Sequence, residues 1–174
     1  FRECFTKARV LTVNVPEFSL LETLLWTPGT GFFLLEKHLR RLSQSAEYFD
    51  LHFSKEELTA KLHAMTGTSE ASSNKVRILI DSGGGIRIEV APAPTGQSRP
   101  SRIALAKEPV DSEDCFLYHK TTRRKVYEDA LSGCPGCDDV ILYNRRGEVT
   151  ESTVANIVAL VNGKKITPSL ECGL

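Results

Sequence analysis

Lys120 and Glu151 are the residues of this chain whose types and surroundings best suit chemistry. Lys120 closes an apolar, aromatic run (Phe116, Leu117, Tyr118) and directly precedes Thr121 and Thr122, which read as the start of a helix. A lysine at such a buried edge loses solvation and its pKa falls. A neutral amine is what imine formation with a carbonyl requires. Glu151 stands where one strand has returned from a turn and another begins, with Ser152 and Thr153 following it. A carboxylate there is either a solvated loop residue or a charge that something needs. Taken alone, each residue is equally at home on an ordinary surface.

Three further stretches invite a chemical reading. Cys134 and Cys137 form a single CxxC, but a structural zinc site wants four ligands, and His38, His52 and His63 are not spaced to complete one. A thioredoxin-like role would need the CxxC to open a helix after a strand, and here it follows a helix. Two incidental loop thiols are the expectation, with no metal. Gly83, Gly84 and Gly85 lack the spacing of a dinucleotide fingerprint or P-loop and read as a turn. The HLRRL of residues 38–42 lies on an amphipathic helix, where a solvated basic face is the default.

The elements that must position these residues are legible in the hydrophobic pattern. Strands are expected over residues 7–13, 18–26 and 32–35. Leu35, Leu39, Leu42, Ala46 and Phe49 mark one face of a helix. Ser54 with Glu57 fits a capping box for a second helix reaching Met65. A loop over 66–74 follows, then a hairpin of strands 75–80 and 86–91. A helix is expected over 121–131. Strands at 140–143 and 148–150 flank an Asn144–Gly147 turn in which Gly147 supplies a positive φ. The β-branched stretch 154–161 reads as another strand. The APAPTGQSRPS of residues 91–101 is the best linker. It divides the chain into a small α/β domain (1–95), a linker (96–103) and the start of a second, incomplete domain (104–174).

The totals narrow the class. Lys+Arg and Asp+Glu are 22 each, a balance that argues against a nucleic-acid partner. No apolar run approaches a membrane span of about 20 residues, and no signal peptide opens the chain. Five scattered cysteines point to a reducing cytoplasm rather than a disulfide framework. The chain begins without methionine and stops soon after Glu171 and Cys172, so it reads as a piece of a longer protein.

Read together, HLRRL (38–42), FLYHKTT (116–122) and GCDDVILYNRRGEVTESTVANI (136–157) resemble, in order, the fold-type IV pyridoxal-phosphate enzymes. These are α+β proteins of the D-amino-acid-aminotransferase type and include class IV aminotransferases and aminodeoxychorismate lyases. ITPSLECGL (166–174) also matches, so the resemblance covers almost the whole chain. The most specific part is a glutamate followed five residues later by an asparagine. The narrower resemblance, carried by residues 18–51 and 120–130, is to the lyase domain fused behind aminodeoxychorismate synthase component I. In that reading residues 1–11 are the tail of an interdomain connection.

The resemblance implies that Lys120 bonds to the aldehyde of pyridoxal phosphate and later shuttles a proton. Glu151 would face the ring nitrogen and keep it protonated. Arg41 would bind the phosphate, and Asn156 would support Glu151. Arg87 is a weak candidate for a substrate carboxylate. The expected activity is conversion of 4-amino-4-deoxychorismate to 4-aminobenzoate and pyruvate, in folate precursor synthesis, by a cytoplasmic homodimer fused to or working with the synthase. The alternatives are a branched-chain or D-amino-acid aminotransferase and a non-catalytic remnant. Branched-chain enzymes commonly carry a tyrosine five residues after the lysine, where this chain has Lys125. Further phosphate-binding groups of the family lie beyond the segment that matches Leu174.

Overall fold

The computed structural model describes residues 17–66, 72–94 and 101–173. The strand expected over 7–13, most of the 66–74 loop and most of the 91–101 linker lie outside those residues.

The first half is a four-stranded antiparallel sheet covered by two helices. Strands β1 (Leu20–Thr27), β2 (Gly31–Phe32), β3 (Asn74–Ile80) and β4 (Ile86–Pro92) lie in the order β2-β1-β3-β4. Alternation along β1 puts Leu20, Leu24 and Trp26 on one face. There they pack in one cluster with Leu42 and Ala46 of α1 (Leu35–Tyr48) and Leu58 and Leu62 of α2 (Lys55–Thr66). Each fully buried leucine or isoleucine contributes on the order of 2 kcal/mol, so this face is the main source of cohesion. The period of three and four read from Leu35 to Phe49 is therefore a packing period. The expected 32–35 strand stops at Phe32, because Leu34 turns into the left-handed region at φ 53 and the helix begins one residue later. At α2 the Ser54 hydroxyl accepts from the Glu57 amide at 3.0 Å, but the Glu57 carboxylate pairs with Lys61 at 2.8 Å instead of reaching back to the Ser54 amide. Only half of the capping box forms.

The second half has a smaller core of Ala106, Val110, Leu117, Tyr127, Val140 and Leu142. Its sheet has the order β5-β6-β7: β5 (Ile103–Leu105) runs parallel to β6 (Asp139–Tyr143), and β7 (Val149–Ser152) is antiparallel to β6. The parallel pair needs a long crossover, and α3 (Lys125–Ser132) lies within it. The Asn144–Gly147 turn forms as expected, with Gly147 at φ 78 donating to the Asn144 carbonyl. A two-stranded ribbon, β8 (Ala159–Val161) and β9 (Lys164–Ile166), follows.

Three expectations need correction here. The helix begins at Lys125, not Thr121, because residues 120–122 are held extended against β1. Only 159–161 of the expected 154–161 strand forms; Ser152 to Asn156 make a tight turn, with the Ser152 hydroxyl and amide both bonded to Ala155. Glu151 accordingly lies inside β7, not at its end. No helix among the described residues is long and apolar enough to cross a membrane.

Candidate active site

Where the halves meet, their backbones are joined. Leu21 N donates to the Lys120 carbonyl at 2.9 Å, Thr122 N to the Ser19 carbonyl at 2.9 Å, and Ser19 N to the Thr122 hydroxyl at 2.9 Å. Thr121 pairs with Leu20 and is buried, so the alternation of an extended segment turns Lys120 the opposite way. There it lines a cavity of about 670 Å³. Burial lowers its pKa. Glu22 and Glu151 pull the other way, while Arg41 and Arg124 reinforce the drop.

One wall of the cavity grows from the first half. Glu22 follows the β1 alternation onto the apolar, helix-covered face, where it is 1% exposed. A lone carboxylate there would be prohibitively costly, and α1 supplies its partners one turn apart. Arg41 Nε donates to Oε1 at 2.6 Å and Nη2 to Oε2 at 2.7 Å; His38 Nδ1 lies 2.8 Å from Oε2. Burial favours the neutral acid, but hydrogen bonds and charge from Arg41 and His38 outweigh it. The Glu22 pKa falls below the usual carboxylate value. His38 and Arg41 also line the cavity.

The opposite wall belongs to the second half. Thr150 and Ser152 of β7 are buried, and Glu151, between them, faces the cavity. Tyr127 O–H, one turn inside α3, donates to Glu151 Oε1 at 2.6 Å. Oε2 accepts nothing among the described residues. Burial raises the Glu151 pKa against the pull of Tyr127, Arg124 and Lys120. Burial and the neighbouring carboxylate likewise push the Tyr127 phenol up, so it stays a donor. Arg124 is fixed by the Thr153 carbonyl and by the Tyr127 ring face, 4.1 Å from its guanidinium. Asp139 accepts from the Thr153 amide and hydroxyl and so pins the turn after Glu151.

Lys120, Glu151, Arg41 and Asn156 thus line one cavity. Asn156 is exposed, and its side chain makes no hydrogen bond among the described residues. Arg87 is not brought to the cavity: it sits on β4, 70% exposed and 3.5 Å from Glu89, beside a separate hollow near Asp81. Cys134 and Cys137 close the turn after α3 as free thiols, and no metal-binding cluster occurs among the described residues. Reasoning from sequence missed Glu22 and Tyr127. The signal for the first was an acid at an inward position of an otherwise apolar strand. For the second it was a phenol one turn into the helix after the lysine.

These residues fit pyridoxal phosphate by their chemistry. A desolvated lysine suits its aldehyde, a carboxylate with one open oxygen its ring nitrogen, and cations its phosphate. The fold is the α+β arrangement of fold-type IV pyridoxal-phosphate enzymes. The family model for class IV amino-transferases matches residues 19–174, and the chain belongs to that family, whose members depend on pyridoxal phosphate. A Schizosaccharomyces pombe protein named "Putative aminodeoxychorismate lyase" is 32% identical over 164 residues, covering 91% of this chain and 69% of its own. The crystal structure of a "Putative amino-acid aminotransferase" from Mesorhizobium loti is 31% identical with a TM-score of 0.80, over 90% of this chain and 77% of that one. An aminotransferase structure from Mycobacterium tuberculosis, in a form with α-ketoglutarate and PMP bound, shares the fold at a TM-score of 0.72 and 20% identity, over 94% of this chain and 65% of that one.

Proposed function

We propose that this chain carries the pyridoxal-phosphate site of a 4-amino-4-deoxychorismate lyase that releases 4-aminobenzoate and pyruvate. The observation that supports it most is the desolvated Lys120 facing Glu151 across a cavity that Arg41 also lines. The cofactor, when bound, supplies an electron sink for the pair left by a breaking C–H bond. Lys120 would hold the cofactor aldehyde, and burial keeps more of its amine neutral and nucleophilic. Glu151 would offer Oε2 to the ring nitrogen. Arg41, braced by Glu22, would offer its remaining donors to the phosphate. Once the substrate's own amino group has taken its place on the aldehyde, the freed Lys120 Nζ would take the proton from C4 and return it to the departing enolpyruvate carbon, giving pyruvate as the C3–O bond breaks. No redox equivalent or amino-group acceptor is consumed.

Two observations favour the lyase over an aminotransferase. The S. pombe relative carries the lyase name. Lys125, where branched-chain enzymes commonly have tyrosine, is 80% exposed and paired with Asp129 2.8 Å away, so it brings no phenol to the cavity. The aminotransferase reading keeps the support of the M. loti likeness. We also read the two cores as domains joined near residues 96–103, in a cytoplasmic homodimer supplied by aminodeoxychorismate synthase.

The test begins with the absorbance of the protein in pyridoxal phosphate, wild type against Lys120→Ala, with borohydride trapping and peptide mapping. A visible band lost in the variant, with the label on Lys120, is expected. Pyruvate release without a keto-acid acceptor then selects the lyase; activity only with an acceptor selects the aminotransferase. A wild-type protein that takes up no cofactor would overturn both.

A further inference from the structure

The cavity is rich in cations, and nearly all are engaged. Arg41 and His38 are bound to Glu22. Arg124 is tied to the Thr153 carbonyl and the Tyr127 face. The His119 ring faces the Ser45 hydroxyl at 3.0 Å, and Lys120 is required for the reaction. Arg123 differs. It lines the same cavity, and its guanidinium forms no ion pair or side-chain hydrogen bond among the described residues. Though exposed, it lies 4.4 Å above the centre of the Phe116 ring. Phe116 is itself packed edge-on against Phe18 at 5.1 Å and stacked on Phe49 at 5.3 Å. A guanidinium laid on an aromatic face keeps its edge free for a planar two-oxygen partner and loses little freedom on binding one.

We propose that Arg123 is the seat for one carboxylate of the substrate, so that the cavity selects a ring substrate that carries a carboxylate over its neutral isostere. This rests on the lyase reading, whose products, 4-aminobenzoate and pyruvate, each carry one carboxylate, so the intact substrate carries two. Arg123 sits three residues after Lys120, on the segment stitched to β1, and so keeps a fixed position relative to the reacting amine. Its role is to recognise and orient the substrate.

Calorimetric binding of benzoate and of its neutral isostere benzamide to the cofactor-loaded protein tests this without turnover. The wild type is expected to bind benzoate about tenfold tighter or more, the contribution of one charged hydrogen-bonded pair. Arg123→Gln should bring that preference below about threefold while benzamide affinity changes little. Arg123→Lys, which keeps the charge but loses the fork, should fall between. In the pyruvate assay Arg123→Gln should raise KM far more than it lowers kcat. No benzoate preference in the wild type, or a preference retained in Arg123→Gln, overturns the subsite. A wild type that shows the Arg123-dependent preference yet releases no pyruvate would overturn the lyase reading alone.

Discussion

The two walls of the cavity shift the proton affinity of the same side chain, a glutamate, in opposite directions. Glu22 has an arginine and a histidine on its oxygens and ionises more readily than a free carboxylate; Glu151 has a phenol and holds its proton more tightly. Burial favours the neutral acid in both, and Glu22, the more deeply buried, is nevertheless the one that ionises more readily, so the partners decide. A guanidinium bonded through two nitrogens overcomes desolvation, whereas one phenol donor with two cations that make no hydrogen bond to the carboxylate does not. The lesson is a division of labour. The first wall holds a carboxylate whose charged form is stabilised by the cations it organises, and the second a carboxylate whose proton affinity burial raises.

Replacing each glutamate should expose that division. Glu151→Ala is expected to lower turnover by roughly 10²–10³-fold, the scale of losing one preorganised polar group beside the reacting centre, while thermal unfolding shows no loss of stability. Glu22→Ala should do the reverse first, costing about 2 kcal/mol in denaturant melts. This is below the roughly 3–5 kcal/mol of breaking a fully buried pair, because Arg41 remains half in solvent. The folded pKa of Glu22 lies below 4.5, so its stabilisation is complete above that value and drains away as pH falls through the folded pKa. Glu22→Gln should therefore lack that acid limb of the stability–pH curve. If Glu22→Ala lost only activity, the comparison would break.

Smaller effects sharpen it. Tyr127→Phe removes the hydrogen bond that restrains the Glu151 pKa, so the limb of the pH–rate profile reporting ionised Glu151 should move to higher pH, with roughly three- to tenfold lower kcat/KM at neutrality. Without cofactor, Lys120→Met should raise Tm by roughly 1–3 °C. A lysine whose folded pKa is depressed costs stability below that pKa, and the cost fades as pH rises toward its unfolded value. The gain should therefore shrink in alkaline buffer. Asn156→Ala should change cofactor affinity less than threefold, because its exposed amide is bonded to nothing among the described residues.

Much of this was legible in the sequence, for identifiable reasons. The α1 period, the 75–91 hairpin and the Asn144–Gly147 turn are local patterns, and they formed as read. The start of α3 was misread because Thr121 and Thr122, good helix-opening residues, are recruited by β1 from a hundred residues away. The 154–161 strand was misread because the Ser152 side chain captures the backbone before β-branched residues can pair. Lys120, Glu151 and Arg41 were singled out through family resemblance and line one cavity, whereas Glu22 acquires meaning only once β1 and α1 are packed together.

The hydrogen bonds between residues 19–22 and 120–122 carry a further consequence. Lys120 has only part of its environment in the second half, since the strand fixing its backbone and one of its two carboxylate neighbours, Glu22, are made much earlier in the chain. During synthesis the first sheet must wait, edge unpaired, until that later segment arrives. Covalent capture of an aldehyde at Lys120 would then count only molecules in which both halves have docked, making the lysine a chemical clock for the last step of folding.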